Sequence, residues 1–325
     1  MSILDEPYLG KNPKTVYLSN STIQVFKDCK RRWYLGDYLG LARKQKEYTG
    51  PLALGSRIHT ALEMFYVDGT IPEDAYNEIM KVDRELFEKS YAAKDSEQVS
   101  KFNKEAELGR VMMEGYYEWL LEENPDTNIE PEHVEKIVQY RLNNFDPRVV
   151  LQGKIDMHAK RVEDGSIAIL DHKSAVSFDV YHQTAHMSEQ LMYYVMLEKL
   201  NAEDGEKVVD GGIYNLLKKS KRTAAAKPPF FERIDVRFND ETLNSFWTRT
   251  LGTVKDIMAV RDALDSGADH RYFAYPRPTM DCTWKCPFFA VCPMMDDGSD
   301  HLRMLEDHYE QIDPLERYNK QEKTV

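Results

Sequence analysis

The chain has 325 residues, 42% hydrophobic and 11% aromatic, with a formal net charge of −12, enough apolar material for a sizeable core in one elaborated domain or two closely joined ones. No stretch approaches the roughly 18 apolar residues that span a bilayer, and the opening MSILDEPYLGKNPK lacks an apolar signal core, so an ordinary soluble, cytoplasmic protein is expected. At face value the acidic balance argues against a nucleic-acid partner, because phosphate affinity comes from basic groups.

In chain order, Ser19 or Ser21 caps a helix running through Phe26 and Trp33. The segment from Lys27 to Lys46 carries seven bases and two acids, which softens the charge objection locally. Gly55 to Tyr66 reads as a second helix, and from about Pro72 to Glu122 the apolar spacing stays helical, with Met112, Met113, Tyr116, Trp119 and Leu120 as a buried stripe. Strand signals begin near Val134. They are clear from Val149 to Lys160, where Val149, Leu151, Gly153, Ile155, Met157 and Ala159 alternate with polar residues and leave Asp156 on the polar face. A Glu163-Asp164-Gly165-Ser166 turn then leads into a strand from Ile167 to Ser174. Ser188 to Leu200 is helical. Val208 to Leu217 and Phe231 to Phe238 are strands bracketing a basic loop, with five bases and no acid from Tyr214 to Lys227. A long helix runs from about Glu241 to Leu264. The tail, residues 296–325, holds nine acids and four bases, with a helical stretch near Leu302 to Tyr309 and a frayed end.

Residues two apart on a strand share a face, so the Asp171 carboxylate and the Lys173 ammonium converge, and Asp156 on the preceding strand adds a second carboxylate. Two carboxylates suit Mg²⁺ or Mn²⁺, hard cations that prefer oxygen and keep waters for a phosphate; a lysine beside them orients water or stabilises developing charge. Alone, Asp-x-Lys is an ordinary strand-end ion pair, His59 a core histidine, and Gln190 with Tyr194, four apart on one helix, a helix surface. Together, GSRIH (55–59), GKID (153–156), ILDHK (169–173) and QLMYY (190–194) resemble, in that order, the RecB-like branch of the PD-(D/E)XK nuclease superfamily. The resemblance implies His59, Asp156 and Asp171 as metal ligands, the main-chain carbonyl of His172 completing the shell, Lys173 as catalytic lysine, and Gln190 and Tyr194 as a motif holding DNA and active site. His172 departs from the apolar residue frequent at its position.

There are four cysteines: Cys29, and Cys282, Cys286 and Cys292 in a C-x3-C-x5-C cluster. Structural disulfides are disfavoured in the cytoplasm. Four thiolates suit tetrahedral zinc, although the paired C-x2-C of zinc ribbons is missing, or a four-cysteine iron-sulfur cubane. One cysteine before the core and three after it resembles iron-sulfur members of the RecB-like family, such as AddB-type nucleases and CRISPR-associated RecB-like exonucleases. That resemblance implies a [4Fe–4S] cluster on Cys29, Cys282, Cys286 and Cys292, joining the N- and C-terminal regions.

The expected fold is therefore α/β: a restriction-endonuclease-like core, with a mixed central sheet flanked by helices. The expected organisation is residues 1–54 as a helical cluster segment, 55–240 as nuclease core with a helical insertion at about 70–125, 241–295 as C-terminal helix and cysteine segment, and 296–325 as acidic tail. By resemblance the function is metal-dependent DNA hydrolysis, most simply as a single-strand or end-resecting exonuclease in repair, recombination or phage replication. Alternatives are a noncatalytic DNA-binding scaffold of the same fold and a structure-specific endonuclease. Trp33, Tyr34 and Phe230 are candidates for base stacking, and the Lys27–Lys46 segment and Lys218–Lys227 loop for phosphate contacts. No G-x-x-x-x-G-K-[ST] loop occurs, so unwinding would need a helicase or recombination partner on another chain.

Overall fold

The computed structural model describes residues 13–203, 209–223, 225–313 and 318. The predicted strand start at Val208 and, apart from residue 318, the tail beyond 313 lie outside these residues. After a short strand β1 (Val16–Ser19), Ser19 caps α1 (Asn20–Asp28), its hydroxyl accepting the N–H of Thr22 at 3.2 Å, which satisfies one of the free donors of the first turn. The expected continuous helix through Trp33 is broken. Cys29 is extended (φ −159°, ψ 110°) and separates α1 from α2 (Lys30–Trp33). The reason is tertiary: the Arg31 N–H is donated to the carbonyl of Tyr275 at 3.2 Å rather than back along the helix.

Strand β2 (Leu41–Arg43) precedes α3 (Pro51–Asp68), which starts on a proline at a position where the missing N–H costs nothing. The long helical stretch that follows is two helices, α4 (Pro72–Lys89) and α5 (Ser96–Glu123), the second capped by Asp95. Strand β3 (Ile129–Arg141) begins earlier than near Val134. β4 (Val149–Arg161) and β5 (Ile167–Ala175) form the expected hairpin, turning at Gly165 with φ 70°, a conformation glycine adopts without steric cost. The short α6 (Asp179–Thr184) gave no periodic signal. Then come α7 (Glu189–Asn201), β6 (Val209–Lys218), β7 (Phe231–Arg237), α8 (Asp240–Asp265), α9 (His270–Phe273), α10 (Cys282–Lys285), α11 (Met294–Asp297), α12 (His301–His308) and β8 (Tyr309–Gln311). The tail helix thus ends at His308, and Tyr309 opens a strand. No described helix is long and apolar enough to cross a membrane.

The described residues form two compact units, one drawn from within residues 1–46, 139–153 and 244–325 and the other from within 47–138 and 154–243, with β3 and β4 each contributing residues to both. In the first, β1 pairs in parallel with the start of β4, Val16 opposite Val149, and β2 pairs antiparallel with β8. Trp33, 1% exposed, meets Phe26 edge-on at 5.2 Å, and the Tyr38 hydroxyl donates to Asp265 Oδ1 at 2.7 Å, tying the opening segment to the end of α8.

In the second unit β4, β5, β6 and β7 lie side by side, paired antiparallel, parallel and antiparallel, with β3 on the other side of β4. This mixed sheet is flanked by helices. On one face α7 sits close over β6, where a Cβ on Gly212 would stand 2.8 Å from Leu191 Cδ2. Helices α3, α4 and α5 bury Ile58, Leu62, Tyr76, Phe102, Met113 and Tyr116 in a shared core with Leu217 and Phe231, and each such side chain contributes about 1.5–3 kcal/mol on leaving water.

Candidate functional site

The hairpin, α3 and α7 bring six side chains together in the second unit. Antiparallel pairing of Met157 with Leu170 sets Asp156 beside Asp171, and the period of two puts Asp171 and Lys173 on one face. Lys173 Nζ lies 2.6 Å from Asp171 Oδ2, close as an ion pair but not aligned as a hydrogen bond. The other oxygen, Oδ1, accepts from Gln190 Nε2 at 3.0 Å, and the same amide donates to the Tyr194 hydroxyl at 3.4 Å. From α3, His59 Nδ1 approaches Asp156 Oδ2 at 3.2 Å, and that oxygen also accepts the main-chain N–H of His172 at 2.9 Å.

Burial and charge then divide the titratable groups. Burial alone would raise Asp156, but the bond from His59 and the positive charges of His59 and Lys173 hold its carboxyl well below the usual carboxylate range. Asp171 is pushed up by burial and by the negative Asp156, against the pull of Lys173. Lys173, though enclosed, is held above the ordinary lysine value by Asp171, so its ammonium is retained. His59 is desolvated, yet Asp156 and Asp171 raise it. Burial pushes His172 down to about 3, so its imidazole is neutral.

Two carboxylates from adjacent strands, one of them with a buried oxygen lacking an aligned donor, fit the demand of a hard divalent cation for oxygen. Among the described residues no three His, Cys, Asp or Glu side chains stand ready as a metal cage; the fit rests on the donor set.

Residues not singled out from the sequence surround this group. The His172 ring stacks on Tyr66 at 5.9 Å, meets His59 edge-on at 5.9 Å, and its Nδ1 is 2.8 Å from the side-chain amide of Asn215. Asn215 is fully buried and stands as the lone amide in the otherwise apolar and aromatic run Ile213-Tyr214-Asn215-Leu216-Leu217, a sequence signal that could have marked it. Arg233 donates to Asn215 Oδ1 at 3.3 Å and pairs with Asp126. Glu135 on β3 is buried, ion-paired with Lys154, raised by burial, and within the field of Asp156 and Glu63; its φ is 57°, left-handed in the middle of a strand.

The stacking candidates need correction. Trp33 and Tyr34 are 1% and 7% exposed; Trp33 fills a core against Phe26, and Tyr34 stacks on Tyr38 at 5.6 Å and His270 at 5.2 Å, so neither can receive a base. Phe230 is half-buried beneath Lys218 and Arg222. Several of the basic candidates are also engaged. Arg222 binds Glu118 and the Gly115 carbonyl, and Lys218 donates to the Lys227 carbonyl. Arg31 is buried and grips both oxygens of Asp296 at 2.6 and 2.8 Å, while Arg43 and Lys44 donate to the carbonyls of Pro287 and Glu306.

The four cysteines all lie in the first unit, as free, half-buried thiols. Each sulfur faces an N–H donor: Arg277 N–H to Cys29 at 3.5 Å, Thr279 N–H to Cys282 at 3.3 Å, the Phe288 N–H to Cys286, and Arg31 Nη1 to Cys292 at 3.9 Å. Burial raises Cys286 and Cys292, and the neighbouring cysteines raise them further: Cys29 and Cys282 act on Cys286, Cys29 and Cys286 on Cys292. Four thiols match the donor type and number of a four-cysteine cluster, but among the described residues they do not stand together as a ready metal-binding group.

The profile of the PD-(D/E)XK nuclease superfamily matches residues 17–293. No curated protein sequence matches. Solved structures similar to this chain include a Eubacterium rectale protein described as a "putative exonuclease", 15% identical with a TM-score of 0.43, covering 76% of this chain and 82% of that one. A second, SSO0001, is 16% identical with a TM-score of 0.32, covering 65% and 79%.

Proposed function

Because the chain belongs to the PD-(D/E)XK nuclease superfamily, we propose that it hydrolyses DNA phosphodiester bonds at the Asp156–Asp171–Lys173 site as a metal-dependent exonuclease on single-stranded or resected ends. The observation that carries this reading is the Asp171 carboxylate, clamped at one oxygen by Gln190 while the other faces Lys173 off the hydrogen-bond line. His59, Asp156, Asp171 and the main-chain carbonyl of His172 would hold Mg²⁺ or Mn²⁺, which when bound supplies Lewis-acid polarisation and a more acidic water. Lys173 Nζ keeps its proton and orients the attacking water or steadies charge on the phosphate oxygens. Gln190 and Tyr194 fix the carboxylate from α7, and burial keeps bulk water from the Asp171 oxygens.

The presence of both carboxylates and the lysine favours an enzyme over a noncatalytic scaffold. End-labelled single-stranded DNA with Mg²⁺ or Mn²⁺ tests the proposal directly: stepwise shortening by the wild type, absent in Lys173→Ala and Asp171→Asn, is expected. A covalently closed circle should resist. Cutting of the circle would replace the exonuclease with an endonuclease, and no cleavage of any substrate by folded protein would leave the scaffold.

The order of the four motifs, with one cysteine before the core and three after it, supports placing the chain in the RecB-like iron-sulfur branch, with Cys29, Cys282, Cys286 and Cys292 as ligands of a structural [4Fe–4S] cluster. Iron and acid-labile sulfide at about four each per chain after anaerobic purification are expected. Stoichiometric zinc without iron would remove this part of the proposal.

A further inference from the structure

Behind the catalytic strand a line of polar side chains crosses the sheet. Pairing sets His172 opposite Asn215 and Asn215 opposite Arg233, so the three stand on neighbouring strands β5, β6 and β7. An Asn amide can be turned either way, and neutral imidazole can carry its proton on either nitrogen. Here the far end decides both. A guanidinium only donates, and Arg233 Nε points at one end of the Asn215 amide at 3.3 Å, so that end is the oxygen. The NH₂ end then donates to His172 Nδ1 at 2.8 Å and to the Tyr116 hydroxyl at 3.0 Å. His172 Nδ1 must therefore accept, and the ring proton sits on Nε2.

The same direction runs on through the hydroxyls. Tyr116 lies 2.9 Å from the Tyr66 hydroxyl, which receives Arg233 Nη2 at 3.3 Å and faces Asp126 at 3.5 Å. Tyr66 also stacks on the His172 ring. The imidazole is thus held at its edge and on its face, and its own main-chain N–H is the group that binds Asp156 Oδ2.

We propose that His172 is a positioning residue: Asn215, oriented by Arg233, locks its imidazole as the Nε2–H tautomer and thereby fixes the main-chain segment that holds Asp156 in place for the cation. This rests on the metal-dependent reading of the site, but its test does not depend on cleavage. Partners of this kind beside a metal site change metal affinity about 10–100-fold when removed.

The imidazole nitrogens of selectively ¹⁵N-labelled wild type report the tautomer, and Mn²⁺ titrated calorimetrically into wild type, Asn215→Leu and Asn215→Asp reports the site. Expected are an Nε2–H signal in wild type, reversal to Nδ1–H in Asn215→Asp, whose carboxylate can only accept, and Mn²⁺ binding about tenfold weaker in both variants. In cleavage, the half-saturating metal concentration rises while kcat at saturating metal stays within about threefold. An Nδ1–H wild type, or unchanged Mn²⁺ affinity in Asn215→Asp, overturns the proposal. If Asn215→Leu fails to fold, the wild-type tautomer and the near-isosteric Asn215→Asp still decide it. Wild type that binds Mn²⁺ with the expected tautomer yet cleaves nothing would defeat the nuclease reading alone.

Discussion

In the unit that holds Asp156 and Asp171, every side chain of the candidate site leaves a regular strand or helix, and the carboxylates already have partners within the protein: His59, the His172 N–H, Gln190 and Lys173. The cysteines of the other unit come from a helix break at 29 and from short, irregular segments between 282 and 292, and their sulfurs are met by the Arg277 N–H, the Thr279 N–H and hydroxyl, and Arg31 Nη1 at 3.3 to 3.9 Å. The first region is held in place by hydrogen bonds and ion pairs of the protein's own side chains. The second brings together segments more than 250 positions apart in the sequence. A bound ion should therefore matter for chemistry in one region and for folding in the other.

The largest effect expected is on cleavage. Asp171→Asn keeps the shape but removes the charge facing Lys173, and the rate of the folded variant should fall on the order of 10³-fold; retained activity would remove the site assignment. Next, Cys29→Ser should abolish iron binding and cost on the order of 4 kcal/mol, the scale of closing a very long loop, read as thermal unfolding with and without an iron chelator. The contrast is sharpest when EDTA stops cleavage without moving the transition while iron removal lowers it. A chelator-insensitive transition would break the comparison.

Trp33→Ala should lose about 3–5 kcal/mol as a core deletion, with the DNA affinity of the folded fraction preserved; a selective loss of DNA binding would restore a stacking role. Asp296→Ala strands the buried Arg31 guanidinium and should destabilise by about 2–3 kcal/mol, less than a fully buried pair because Asp296 is half-exposed. Arg31 holds the Asp296 carboxyl below its ordinary value, so its stabilisation is complete above the ordinary aspartate range and fades as pH drops through the depressed folded value. A melting temperature independent of Asp296 across that acid window would contradict it. Smallest, Lys221→Glu on the exposed loop should weaken DNA binding at low salt by less than about tenfold, whereas Arg222→Glu should act through stability because its charge is tied to Glu118.

Much of this arrangement was legible because local periodicity decides it. Alternation along β5 puts Asp171 and Lys173 on one face, and the four-residue step of α7 does the same for Gln190 and Tyr194. Features set by distant partners were not legible. The helix through Trp33 breaks because the Arg31 amide finds Tyr275, far away in the sequence. The Asn215–Arg233 line depends on register between strands joined by a long loop, and the burial of Trp33 and Tyr34 reverses the exposure that a basic, aromatic helix suggested.

The left-handed backbone of Glu135 carries one more consequence. At φ 57° an L-residue with a Cβ gives up on the order of 1 kcal/mol relative to glycine, and burying a carboxylate beside Asp156 adds a further penalty. The ion pair with Lys154 works against that penalty, while Asp156 and Glu63 add to it, so taking away the Lys154 ammonium would leave a strained backbone and a buried charge at 135 with no counter-ion.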